Sequence, residues 1–424
     1  MQPAAASWQT WQRFLFRFFF LFLGTTSIFC WHFFLYIASI AFIKNPAWHL
    51  GVLYKPLAKP FHWLDKHFFH TGYSLNMDTA PFDNHFGVIF YLTIFLLAIA
   101  GVIAWSLLDK KKSNYDKLFY WFNIYLRYTL ALVIFGYGID KLIPVQMSYP
   151  GVISMITPFG EESRFDVLWN FMGVSPGYMI FTGASEIIGS LLLLSRRTAL
   201  AGYLLLLAVL SNVVALNFFY NVPVKLFSSQ LLLYDLYLLA PYGKKIFQFF
   251  FSDHLIPQPQ KYYVFQTSWK KYTERLLLIF FTFIIFLLTT IVTYQRYEKQ
   301  KLTAKREKIY EVTTFISTDT LPPLLTDTLR WKRFLFAYEN YVVICNMKDQ
   351  RDWYQCDVDS IKKTFTLHDN PDTSTWKIFH YAYSGKDQLQ LTGKWKGKDV
   401  TIEMKSVPVD SMFLNKEKTV LMQD

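Results

Sequence analysis

Seven blocks of apolar residues, each near the length of a membrane-spanning helix, constrain this chain more than any motif does. They run approximately over 16–43, 85–108, 119–143, 177–195, 198–218, 224–241 and 274–294. A hydrocarbon core about 30 Å thick is crossed by roughly 20 apolar residues of helix. Backbone polar groups inside lipid must be satisfied within the segment, which leaves the helix as the structure for such blocks. Overall content of 53% hydrophobic and 19% aromatic residues fits a polytopic helical membrane protein and not a soluble globule.

Basic residues set the expected orientation. Arg13 and Arg17, then Lys110, Lys111, Lys112 and Lys117, then Arg196 and Arg197, then Lys244 and Lys245 all fall on one side of a seven-span topology, and positively charged short loops stay cytoplasmic. An odd number of spans exports the last part of the chain. Arg296, Lys299, Lys301, Lys305, Arg306 and Lys308 oppose this, but long exported domains cross largely regardless of charge. The expectation is a bacterial inner membrane protein with a cytoplasmic N-terminus. Its formal charge of +12 reads as topology and lipid contact, and no nucleic-acid partner is expected because the basic residues sit beside helix ends. The stretch from Phe14 is too long for a signal-peptide core and lacks a small-residue cleavage site, so it reads as a retained anchor with Cys30 buried in its helix.

Four regions follow: 1–118, a helix pair with an aromatic and His-rich loop; 119–245, a four-helix core; 246–294, a linker containing Pro257 and Pro259 and the last helix; and 295–424, an extracytoplasmic β domain. Alternation of apolar and polar residues predicts strands over 330–338, 341–347, 363–368, 376–383, 389–395 and 400–405, with Lys396-Gly397-Lys398-Asp399 as a hairpin. A small antiparallel sandwich or barrel is expected. Cys345 and Cys356 lie in it, where an oxidising compartment permits a disulfide; their spacing fits neither a CxxC redox pair nor a zinc pattern, and a bridge, two buried thiols or a redox dithiol all stay open. His368 and His380 lie on expected strands without a matching nucleophile. In the first loop, His62, His67 and His70, with His49 and His85 nearby, form a weak metal candidate with Asp65. The same window describes an amphipathic helix lying in the membrane interface.

Within the core, a rise of 1.5 Å per residue puts Arg127, Glu186 and Asp235 each about 15 Å from the basic side. Charges this deep need partners, so the three are expected to meet as a mid-membrane cluster. That cluster reads either as a clasp between helices or as a site for proton or ligand chemistry. Asp140 and Lys141, at the end of FGYGIDKLIP (135–144), are expected at the opposite surface, where Lys141 reaches water. Asn217, Tyr220 and Lys225 fall near the same level, with Asn212 and Gln230 deeper, as a polar vestibule leading to the cluster.

Arg127, the GYGIDK run and GASEIIGSLLLLSRRTALAGYLL (183–205), with Glu186, Gly189 and a basic pair, resemble the four-helix DoxX-like membrane family. The resemblance covers residues 119–241 and implies quinone-linked redox work on thiol or sulfur compounds, often as a subunit beside another membrane or extracytoplasmic protein. A quinone head group would then sit in the bundle, with Glu186 and Asp235 relaying protons and Arg127 stabilising the reduced anion. Two other classes stay open: a non-catalytic scaffold or assembly factor whose β domain docks a partner, and a transporter or lipid-handling protein.

Overall fold

The computed structural model describes residues 8–43, 58–73, 75, 83–110, 112, 114–251, 268–318, 327–338, 340–368, 376–385, 387–409 and 412, without the side chains of 29–43, 268–275 and 277–278. His49, Pro257, Pro259 and the Cys30 side chain, each read above, lie outside that description. The described chain forms two compact units, one of residues 1–147 and 175–296, the other of 148–174 and 297–424.

The first unit is a helical membrane part. Its long helices are α1 (Thr10–Ile43), α3 (His85–Leu108), α4 (Asp116–Leu142), α7 (Pro176–Leu194), α8 (Ala199–Phe219), α9 (Lys225–Leu239) and α11 (Ser268–Ala304), with a short α2 (Ala58–Leu64) after α1 and α10 (Gly243–Phe251) after α9. Among the described residues, five are long and apolar enough to cross a membrane: α3, α4, α7, α8 and the Ile279–Ala304 part of α11. The expected block 224–241 instead forms the 15-residue α9 followed by a 3-10 turn, Ala240–Tyr242.

Side-chain contacts fix the direction of each helix. Phe16 packs on Tyr115 and Phe119 while Ser27 bonds Tyr125, so α1 runs parallel to α4. Ser190 donates to the Ala131 carbonyl at 2.7 Å, and a Cβ on Gly138 would meet Ile187 and the Gly183 carbonyl, so α7 runs antiparallel to α4. Tyr237 packs on Phe119 and Phe122 while Phe227 packs near Tyr137, making α9 antiparallel to α4 as well. Phe135 stacks on Phe286 at 3.6 Å, and Thr293 donates to Asp140, so α11 is parallel to α4. Arg17, Lys110, Lys117, Arg196 and Lys244 therefore share one end of the bundle, as their positions in the sequence predict.

Two glycines set the closest approach. A Cβ on Gly183 would lie 2.7 Å from the Gly138 carbonyl and 2.8 Å from the Leu142 nitrogen. Small residues at such crossings let backbones touch where lipid offers no hydrophobic drive for helix association. The first two long helices pack on the core: Leu23 is buried with Leu126, Leu130 and Tyr234. Arg17, 4% exposed, donates to Tyr115, Ser106 and the Asp109 carbonyl, tying α1 to both chain segments at the basic end.

The second unit is a closed barrel of eight antiparallel strands in sequence order: β1 (Lys308–Ser317), β2 (Trp331–Tyr338), β3 (Tyr341–Asn346), β4 (Arg351–Asp359), β5 (Thr364–His368), β6 (Lys377–Tyr383), β7 (Gln388–Trp395) and β8 (Lys398–Val407). Closure removes the exposed edges an open sandwich would leave. The sequence pattern anticipates six of the strands; β1 and β4 are the additional two. Lys396 and Gly397, both at positive φ, make the two-residue turn between β7 and β8, whose backbone twist suits a hairpin. Inside the barrel Trp331, Phe334, Phe365, Phe379 and Trp395 fill the centre. A register shift between Trp331 and Arg333 lets both Trp331 and Phe334 face inward.

Residues 148–174, the connection from α4 to α7, fold with the barrel and not with the helices they join. They contain α5 (Val152–Ile156) and α6 (Arg164–Gly173). Val152 is buried with Ile309, Leu335, Val343 and Cys345 on the outer barrel wall, and Arg351 donates to Thr157 at 2.9 Å. Glu307 accepts the Val152 backbone N–H at 3.1 Å, and burial pushes its carboxyl up from its ordinary 4.5. A raised carboxyl binds its proton more tightly folded than unfolded. Its stabilisation is full below 4.5 and is lost as pH rises through the raised value. Thermal unfolding of this unit is expected to move upward on mild acidification, and Glu307→Gln should flatten that slope; an unchanged slope in the variant rules the assignment out.

Candidate functional site

Of the mid-membrane residues, Glu186 finds a partner that the sequence placed elsewhere. Lys141 Nζ donates to Glu186 Oε1 at 2.5 Å, with Lys141 6% and Glu186 3% exposed. The expectation that Lys141 reaches water at the surface is thereby corrected. Side chains on a helix lean toward its N-terminus, so Lys141, near the end of α4, leans into the bundle. Glu186 on antiparallel α7 leans the opposite way, and the two converge. Asp140, the neighbouring residue, turns to α11 and accepts from Thr293 at 2.6 Å and from Arg296 at 3.0 Å.

The expected triad is accordingly divided. Antiparallel packing sets Glu186 opposite the stretch of α4 between Ala131 and Gly138, about 12 Å along the axis from Arg127. Arg127 and Asp235 do share a level, since α9 runs antiparallel to α4, and Tyr203 on α8 lies within electrostatic reach of both. Arg127 is 8% exposed, with its guanidinium 5.3 Å from the Tyr128 ring centre, and Asp235 is fully buried. Neither makes an ion pair among the described residues. Arg127 Nε and both Asp235 carboxyl oxygens find no hydrogen-bond partner among the described residues. A buried polar group left so costs about 1–3 kcal/mol, more when charged, and these two lie on one level of the bundle.

The residues of the expected vestibule take separate partners. Gln230 bonds Tyr91, Tyr234 and the Thr26 carbonyl, joining α1, α3 and α9 in a buried network. Lys225 pairs with Asp83 at 3.3 Å, and Asp83 also accepts the backbone N–H groups of Lys225 and Leu226, capping α9. Asn217 is buried, Tyr220 is half-buried at the end of α8, and Asn212 is exposed on α8. Tyr203 gives no signal in the sequence, because a tyrosine in an apolar block carries no charge.

Cys345 and Cys356 are both free and buried, which corrects the bridge and the dithiol alike. Successive side chains of a strand face opposite sides. Cys356 lies in the barrel interior with Phe365 and Leu367, whereas Cys345 packs outside with Val152. The barrel wall separates them. Burial raises both thiols, Cys356 to about 12, so neither is a ready nucleophile. Maleimide applied to the folded protein at neutral pH should leave both unmodified by mass spectrometry; rapid labelling of either overturns this placement.

The His-rich loop also differs from expectation. His62, His67 and His70 are exposed, a π turn over Asp65–Phe69 breaks the i, i+3 relation of His67 and His70, and His67 stacks on Trp63. Asp65 turns to Thr71, accepting at 2.7 Å. No group of three or more metal-ligating side chains occurs among the described residues. The exposed Trp63 and Phe68 beside α2 suit the interfacial alternative.

No family model matches this chain, and no solved structure matches it. Over 116 residues it is 32% identical to a protein of Bacillus subtilis (strain 168) described as "Uncharacterized protein YwoB", a stretch covering 27% of this chain and 71% of that protein.

Proposed function

Because the chain belongs to the same family as uncharacterized protein YwoB, a membership that brings no activity with it, we propose a function from the bundle interior: a membrane redox subunit that holds the head group of a lipid-soluble carrier between Arg127 and Asp235. The observation that carries this reading is a pair of buried groups on one level beside Tyr203, with Arg127 Nε and both Asp235 carboxyl oxygens without a hydrogen bond among the described residues. A quinone is the carrier class implied by the DoxX-like resemblance, which rests on its own motif residues. When bound, it supplies a two-electron acceptor with carbonyl oxygens. The orphaned atoms fit such a group: Arg127 would donate to a carbonyl oxygen and stabilise negative charge there, while Asp235 would hold and pass a proton. Glu186, occupied by Lys141, acts as a clasp between α4 and α7. The full topology we propose has seven spans, with α1 and α9 completing the set. The basic end faces the cytoplasm and the barrel lies outside a bacterial inner membrane, receiving reducing equivalents from a thiol or sulfur compound or through a partner protein.

The test is solvent extraction of the protein purified in mild detergent, with quinone measured by mass spectrometry. Wild type and Glu186→Gln are expected to carry quinone in proportion to protein. Arg127→Gln and Asp235→Asn should lose it about tenfold or more, as the loss of a charge-assisted hydrogen bond worth about 1.5–3 kcal/mol implies. Protein that carries no quinone in any form sinks the redox reading. A scaffold is the second reading, supported by the α4–α7 connection folding with the barrel. Deleting 310–424 would then abolish function while Asp235→Asn leaves it intact.

A further inference from the structure

The short helix α10 presents a face that the bundle does not use. Phe247, Phe249, Phe250 and Phe251 are 63%, 66%, 65% and 75% exposed, a contiguous aromatic patch of the kind that marks an interaction surface. At about 100° per residue, Ile246, Phe249 and Phe250 fall on one side with Phe247 beside them, while Lys244, Lys245 and Gln248 fall on the other. Ile246 is partly buried against the bundle core, and Tyr242, just before the helix, contacts Tyr203. These contacts anchor α10 to the end of α9 and leave its phenylalanines outward. That end of the bundle also carries Arg13, Lys110, Lys117 and Arg197, with Lys244 and Lys245 exposed among them.

We infer that α10 lies in the membrane interface as an anionic-phospholipid-binding helix, with its phenylalanines among the acyl chains and Lys244 and Lys245 on the phosphates. Two features select this occupant. An amphipathic helix with aromatic residues on one face and lysines on the other is built for the boundary between headgroup and acyl chain. The helix also begins where a bundle helix ends, so its phenylalanines meet lipid without any rearrangement, and its lysines join a cationic rim that attracts anionic headgroups. A protein partner would have to cover the aromatic face and the cationic rim together.

The test uses the full chain with Cys30→Ser, reconstituted in vesicles of neutral phospholipid or of neutral plus anionic phospholipid. A nitroxide is attached at Phe250→Cys. Cys345 and Cys356 are buried with raised thiols and stay unlabelled. The expected result is relaxation by oxygen with loss of relaxation by a water-soluble nickel chelate, deeper in anionic than in neutral vesicles, with the difference removed by Lys244→Gln/Lys245→Gln. Phe247→Cys repeats the measurement if Phe250→Cys does not fold, and Gln248→Cys on the polar face should remain accessible to nickel. Nickel accessibility at both phenylalanine positions overturns the membrane placement. Equal depth in the two lipid mixtures overturns the anionic preference.

Discussion

Lys141→Met is expected to destabilise the helical unit by about 3–5 kcal/mol, because it leaves Glu186 buried with neither a cation nor a donor. Glu186 Oε2 already has no partner, so removing Lys141 strips the carboxyl of the one group that bonds it among the described residues. The double variant Lys141→Met/Glu186→Leu should recover most of the loss, since apolar replacement of a whole buried pair is often neutral or stabilising. Asp140→Asn is the internal control. Its partner Arg296 is 47% exposed, and pairs that open to solvent contribute about 0–1 kcal/mol. Thermal unfolding in detergent separates these cases: a single variant costing under about 1 kcal/mol would mean that water reaches the pair, and the clasp would be withdrawn.

Phe334→Ala should cost the barrel about 3–5 kcal/mol, the usual consequence of removing a fully buried ring. Phe334 is 0% exposed and packs against Trp331, Phe336 and Phe365 at ring separations of 5.7, 5.2 and 6.3 Å. Collapse cannot fill the space easily, because neighbouring strands are held by a closed ladder. The two units have separate cores. Calorimetry is therefore expected to show Phe334→Ala moving one transition and Lys141→Met the other. A single transition that shifts equally for both variants would contradict two independently packed units.

Much of the architecture was legible because its causes are periodic. Apolar blocks about 20 residues long specify spanning helices without reference to any neighbour, and a period of two specified most of the barrel wall. Lys396-Gly397 specified its hairpin, since positive φ at both central residues is a local demand. β1 escaped because its strand begins only a few residues after α11 ends at Ala304, inside the basic run of Lys299, Lys301, Lys305, Arg306 and Lys308 that reads as the flank of the last helix. β4 escaped because Arg351, Asp352, Gln355, Asp357 and Asp359 hide its few inward residues, Tyr354 and Cys356.

The chain's own sequence determined that it enters a membrane, which end of each helix is basic, and that a β domain follows the last helix. Those properties follow from local composition and from distance along one helix. The tertiary structure decided which charges meet. Depth along a helix axis placed Arg127, Glu186 and Asp235 at similar heights, but it could not register the lean of Lys141 and Glu186 toward each other or the approach of Gly138 to Gly183. Those depend on two antiparallel helices touching. Nor could it assign residues 148–174 to the barrel or put Cys345 and Cys356 on opposite faces of one wall, because such relations arise between segments distant in the chain and are set by packing.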